Sequence, residues 1–114
     1  MKLNAVFEQQ DGLYVSAAVS GHAEYESGSE EGMILCAAVS SAMQLTCNTL
    51  TECFGAAVSI TENPASDAQN LLSFRLDSPD SVQSELLHGL PIHLQALSED
   101  FEGLMTVKVK QHKN

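Results

Sequence analysis

Two side chains in this sequence could together carry covalent chemistry: the thiol of Cys36, which opens Cys36-Ala37-Ala38-Val39-Ser40, and the imidazole of His22 in Gly21-His22-Ala23. A cysteine attacks as its thiolate, and a neighbouring histidine or a helix N-terminus favours that form. His22 as general base and Cys36 as nucleophile would make a Cys/His dyad. Cys36 begins a long apolar run that reads as a helix. Backbone N–H groups near residues 33 to 37 are therefore expected to face the sulfur or a developing oxyanion. Ser40, one turn further on, either hydrogen-bonds near the sulfur or bonds back to its own helix. Spacing by itself does not separate such a dyad from an unrelated Cys and His.

The elements that would hold these two residues can be read from the periodicity. Leu3, Ala5 and Phe7 alternate with polar residues, and after Asp11-Gly12 the alternation resumes as Leu13, Val15, Ala17 and Val19. Asp-Gly between two such runs predicts a hairpin of strands near residues 2 to 9 and 13 to 20, with the odd-numbered side chains in the core. Residues 21 to 32, rich in glycine and acid, predict a loop, either an exposed acidic connection or a lid that closes over an extended peptide with Tyr25 as a contact. Residues 33 to 54 predict a helix apolar nearly all round, hence buried. Cys36, Ser40, Met43 and Cys47 share one stripe of it, and Cys47 and Cys53 read as small core hydrophobes.

After Gly55, Ala56, Val58 and Ile60 predict a third strand, residues 62 to 67 a turn, and Leu72, Phe74 and Leu76 a fourth strand. Ser78-Pro79-Asp80 predicts a helix start with Ser78 as cap. Val82, Leu86, Leu87, Leu90, Leu94, Leu97 and Phe101 form its buried stripe, with a kink or break at Gly89 and Pro91. His88 and His93 read as surface residues. Met105, Val107 and Val109 end the chain as a strand whose Lys108 and Lys110 suit a sheet edge. The order ββαββαβ gives an α+β fold, two helices packed on a five-stranded, mostly antiparallel sheet, with residues 1 to 114 as one domain.

Fifteen acidic residues against five basic ones give a net charge of −10, a field that repels phosphate backbones and disfavours direct nucleic-acid binding. Cys36, Cys47 and Cys53 leave an odd thiol under any pairing and lack the close spacing of a zinc clip, so no metal or cofactor is expected. With no leader at Met1-Lys2 and no uncharged run read as long enough to cross a bilayer, the expected location is the cytoplasm, away from membranes.

Gly21-His22-Ala23 at the end of the second strand, with Cys36-Ala37-Ala38-Val39-Ser40 opening the first helix, resembles the ribosomal-processing cysteine protease family known as Prp. The resemblance implies a homodimeric bacterial hydrolase, a thiol protease of ribosome biogenesis. It would remove the N-terminal extension of a large-subunit ribosomal protein, the twenty-seventh of the L series, after a pair of aromatic residues. Cys36 then matches the nucleophile and His22 the general base, while Gly21 and Ser40 match flanking motif positions. The family usually has an Asp three residues before the nucleophile, where this chain has Met33; Glu30 or Glu31 could supply a carboxylate from the loop. Two alternatives stand beside the protease: a non-catalytic acidic binding module for a ribosomal protein or assembly factor, and a redox-sensing thiol at Cys36.

Overall fold

The computed structural model describes residues 3–21, 30–61 and 70–113, and of residues 70–72 the backbone alone. His22, Ala23, Tyr25 and the turn at 62 to 67 lie outside the described residues. Five strands and two helices follow in the order β1 (Leu3–Gln10), β2 (Leu13–Ser20), α1 (Glu30–Asn48) with a π-helical turn (Thr49–Cys53), β3 (Val58–Thr61), β4 (Asn70–Leu76), α2 (Ser81–Asp100) and β5 (Met105–His112). The sheet order is β3-β4-β2-β1-β5. Three pairings are antiparallel and β1 with β5 is parallel, so the expected α+β architecture holds with a mixed sheet.

Asp11 and Gly12 both have positive φ, 52° and 84°, the two-residue turn whose twist matches that of the flanking strands. Leu3, Ala5 and Phe7 are buried on the helix side as their alternation predicts. The alternation breaks in β2. The register with β1 shifts between Glu8 and Gln9, which pair with Ser16 and Tyr14 and leave Val15 as the extra residue. Such a bulge moves the following side chains to the other face. Tyr14 therefore packs against the core cluster, and Val15, though buried, lies outside it. Beside the bulge, the Tyr14 N–H donates to the Ser84 hydroxyl of α2 at 2.8 Å. That bond accounts for a buried serine in an otherwise apolar stripe.

Both helices cover one face of the sheet. Leu35, Val39, Met43 and Cys47 of α1 and Leu50 of the π-turn share one core cluster with Leu87, Leu90 and Leu94 of α2 over the sheet. With only one layer of helices, α1 has one side to bury, so it is not enclosed all round: Met33, Ile34 and Leu45 stand exposed, and Leu45 is 68% accessible. Contrary to the sequence expectation, α1 and its π-turn together are long and apolar enough to span a membrane by length and composition; their inner stripe is packed in the core. Gly55, at φ 65°, ends the helix, and the Ala56 N–H returns to the Leu50 carbonyl at 2.9 Å. Cys53 is exposed on the π-turn, so of the two presumed core thiols only Cys47 is one.

α2 is capped by Asp80, not Ser78. The Asp80 carboxylate accepts from the Gln83 N–H at 2.8 Å, three positions into the helix, where an N-cap side chain reaches. The helix then runs as one element through Gly89 and a buried Pro91. Val82, expected in its stripe, is exposed. At the first turn it precedes the part of α2 that crosses the sheet.

Candidate functional site

α1 begins six residues before Cys36, earlier than the apolar run suggested, because Glu30 and Glu31 occupy its first turn, where acidic side chains favourably meet the positive end of the helix. Cys36 consequently lies in the second turn. Its N–H falls within the i to i−4 ladder, beyond the first-turn N–H groups that have no carbonyl four residues back in the helix. The expected placement of residues 33 to 37 as the helix mouth is thus shifted by about one turn, roughly 5 Å along the axis.

Cys36 is 7% accessible and faces inward. A helical side chain leans toward the N-terminal turn, so the sulfur leans over Gly32, four residues earlier and also buried. Gly32 presents no side chain of its own to that flank of the thiol. The composition of residues 21 to 32 places Gly32 in a loop; its i, i+4 relation to Cys36 appears only with the helix starting at Glu30. Ser40 is half-buried one turn on, along the same stripe. The hydroxyls seen bonding back to carbonyls in this helix and its π-turn are those of Thr46, Thr49 and Thr51.

Glu30 and Glu31 do not approach Cys36 from the helix. At 100° per residue they point about 120° to 140° away from it around the axis, and both are exposed. Met33 is likewise outward, 48% accessible. Gly21 closes β2 with φ 86°, a conformation that only glycine adopts without strain. This accounts for the glycine before His22.

Cys47 differs from Cys36 in its surroundings. It sits between Met43 and Leu50 in the core, and burial pushes its thiol pKa up, which disfavours the thiolate. The three cysteines form no disulfide. Among the described residues no group of three His, Cys, Asp or Glu side chains is placed to hold a metal ion.

A second polar cluster, unforeseen in the sequence, lies on the sheet face away from the helices. Glu8 accepts from the Ser16 hydroxyl at 2.7 Å and from Arg75 Nη1 at 3.1 Å, and meets His112 Nε2 at 3.1 Å. The Ser16 hydrogen bond does most to hold the Glu8 carboxyl below its ordinary range; burial opposes it, and His112 and then Arg75 add to the lowering. Ser16 thus donates to a weak base and gains no nucleophilic character. The cluster pins β1, β2, β4 and β5 together. Its members share one face because the register sets Glu8 against Ser16 and Ser16 against Arg75. On α2, His88 stacks on Tyr14 with ring centroids 4.8 Å apart and meets Glu85 at 3.3 Å, while His93 is exposed.

Comparison with known proteins supplies what geometry alone does not. The family model described as cysteine protease Prp matches residues 3–106. No curated protein matches the chain. Among solved structures, a Streptococcus mutans protein superposes with a TM-score of 0.83 at 23% identity, covering 97% of this chain and 96% of its own. The essential ribosomal processing protease Prp of S. aureus, in complex with a substrate peptide, superposes with a TM-score of 0.79 at 16% identity, covering 95% and 99%. The same protease with a covalently linked product peptide gives a TM-score of 0.75 at 16% identity, covering 95% and 99%.

Proposed function

The chain belongs to the Prp family of cysteine proteases, and from that premise we propose that it is a single-domain endopeptidase acting through Cys36 and His22. Its substrate on this reading is the N-terminal extension of a bacterial large-subunit ribosomal protein, the twenty-seventh of the L series. The observation that carries it is the setting of Cys36: a thiol on the inner stripe of α1, with glycine one turn before it and Ser40 one turn after, inside the residues matched by the family.

In this mechanism His22 takes the Cys36 proton, and the thiolate attacks the scissile carbonyl of an extended peptide. The negative oxygen of the tetrahedral intermediate is stabilised by N–H donors ahead of the sulfur. His22 then protonates the leaving amine, and water, deprotonated by His22, releases the acyl-enzyme. Cys36 lies about 9 Å along the axis from Glu30, beyond the first turn where the helix field is strong. Thiolate formation therefore rests on His22 more than on the helix. Gly21 sets the exit of β2 for His22, and Ser40 supports the thiol stripe.

A net charge of −10 suits a basic substrate, drawing it in at long range. The same reading makes the protein a cytoplasmic homodimer. A second reading, a non-catalytic acidic binding module, is favoured by one observation: Met33 stands where the family usually carries an acid. The test is a peptide containing an aromatic-pair cleavage site, incubated with the wild type, Cys36→Ala and His22→Ala, with products followed by mass spectrometry. Cleavage by the wild type alone is expected. Peptide binding without cleavage by the wild type would establish the binding module.

A further inference from the structure

The sheet ends at β5, and the geometry points to the outer edge of that strand as a docking site for an extended peptide segment that alternates acidic and apolar residues. The phase of the strand follows from two hydrogen bonds at its ends, Leu3 N–H to the Leu104 carbonyl at 2.9 Å and Asp11 N–H to the His112 carbonyl at 3.1 Å. In a parallel pair, one set of alternate residues turns both backbone groups to the neighbour and the other set turns both away. Even-numbered residues of β5 therefore bond β1, and the N–H and C=O groups of Met105, Val107, Val109 and Gln111 point outward. Among the described residues no strand lies beyond β5. The pairing with β1 runs from Met105 to His112 without a register shift, so the free edge is long and regular. Neither proline nor a bulge blunts it.

The two sides of this edge differ. On the helix side, Val107 and Val109 border a groove of about 330 Å³ whose other walls are Tyr14, His88, Pro91, Ile92 and Gln95. Val109 is 43% and Ile92 60% accessible, apolar surface left uncovered beside the open backbone groups. On the opposite side stand Lys108 and Lys110. Residues 105 to 113 carry three of the five basic side chains and no acid, in a chain of net charge −10. Among the described residues neither Lys108 nor Lys110 is in an ion pair. Glu8, opposite Lys110 in the register, is taken up by Ser16, Arg75 and His112.

Charge selects the occupant. A second copy of β5 would set lysines against lysines, which is unfavourable across a ladder. An extended segment with acids on the open-face side and small apolar side chains on the helix side would satisfy the backbone edge, the lysines and the groove together. This is recognition by strand addition, in which main-chain bonds supply affinity and alternate side chains supply specificity. Lysines that only defend an edge against aggregation would leave the groove without a use.

The experiment titrates ¹⁵N-labelled protein with a capped peptide alternating glutamate and valine. Shifts and slowed exchange are expected at the amides of Val107, Val109 and Gln111, with binding that weakens as salt is raised. Lys108→Glu combined with Lys110→Glu should weaken it by about tenfold, and N-methylation of the peptide backbone should abolish it. An equally tight lysine–valine peptide, insensitivity to salt in the wild type, or shifts confined to the α1–α2 surface would overturn the proposal. So would the absence of binding, which would mean that the lysines only defend the edge.

Discussion

Cys36 and Cys47 occupy the same inner stripe of α1, eleven residues or about three turns apart, and are almost equally hidden at 7% and 4% accessibility. Burial therefore does not tell a catalytic candidate from a packing residue. The difference is in what surrounds each sulfur. Cys47 is enclosed by core side chains, and its thiol is pushed toward the neutral form. Cys36 lies near the start of the helix, over a glycine, at the end of α1 that follows the Gly21-His22-Ala23 motif. One helix thus carries an inert thiol toward its end and a candidate nucleophile toward its beginning.

Making the same substitution at both positions sharpens that contrast most. Cys36→Ser should lower cleavage of the aromatic-pair peptide by at least about 10³-fold with the thermal transition intact. Cys47→Ser should leave cleavage in place and cost about 1–3 kcal/mol in chemical denaturation, the penalty of a hydroxyl placed in an apolar core. A Cys47 variant that unfolds normally yet no longer cleaves would break the comparison.

The next largest effect is at Gly21. Gly21→Ala, at φ 86°, should cost about 1 kcal/mol and lower kcat as well, since the strained residue adjoins His22. A stability loss with unchanged kcat would detach that turn from the site.

Smaller is the alkaline limb. The Cys47 pKa is raised in the folded state from its ordinary 9.0, so its contribution is present below that pH. It is lost as pH rises above it, where the unfolded chain releases the proton first. Stability should therefore fall above pH about 9, and less steeply in Cys47→Ala. Smallest is the acid limb at Glu8, on the sheet face opposite both thiols. Its lowered folded pKa means stability present above its ordinary 4.5 and lost as pH falls through the folded value. Glu8→Gln should flatten this decline in urea melts taken from pH 5 to 3, without altering cleavage at neutral pH.

The two thiols also show how far the amino-acid order reaches. Alternation in β1, the Asp11-Gly12 turn and the Cys36-Ser40-Met43-Cys47 stripe are local patterns, set by side-chain periodicity and by backbone angles that only certain residues adopt easily, and they are legible residue by residue. The two short motifs around His22 and Cys36 sufficed to place the chain in its family. Contacts between elements distant in the chain were not legible. Nothing local announces the bulge at Val15, since an extra residue appears only when two strands are set in register; the Tyr14 to Ser84 bond follows from it. The Glu8 cluster needs four strands in one order before its members meet. Asp80 rather than Ser78 caps α2 because three adjacent residues all suit a helix start and the packing of the helix selects one. α1 reads as apolar on every side, and only the single layer of helices decides which side is buried and which, with Met33, Ile34 and Leu45, is left facing outward.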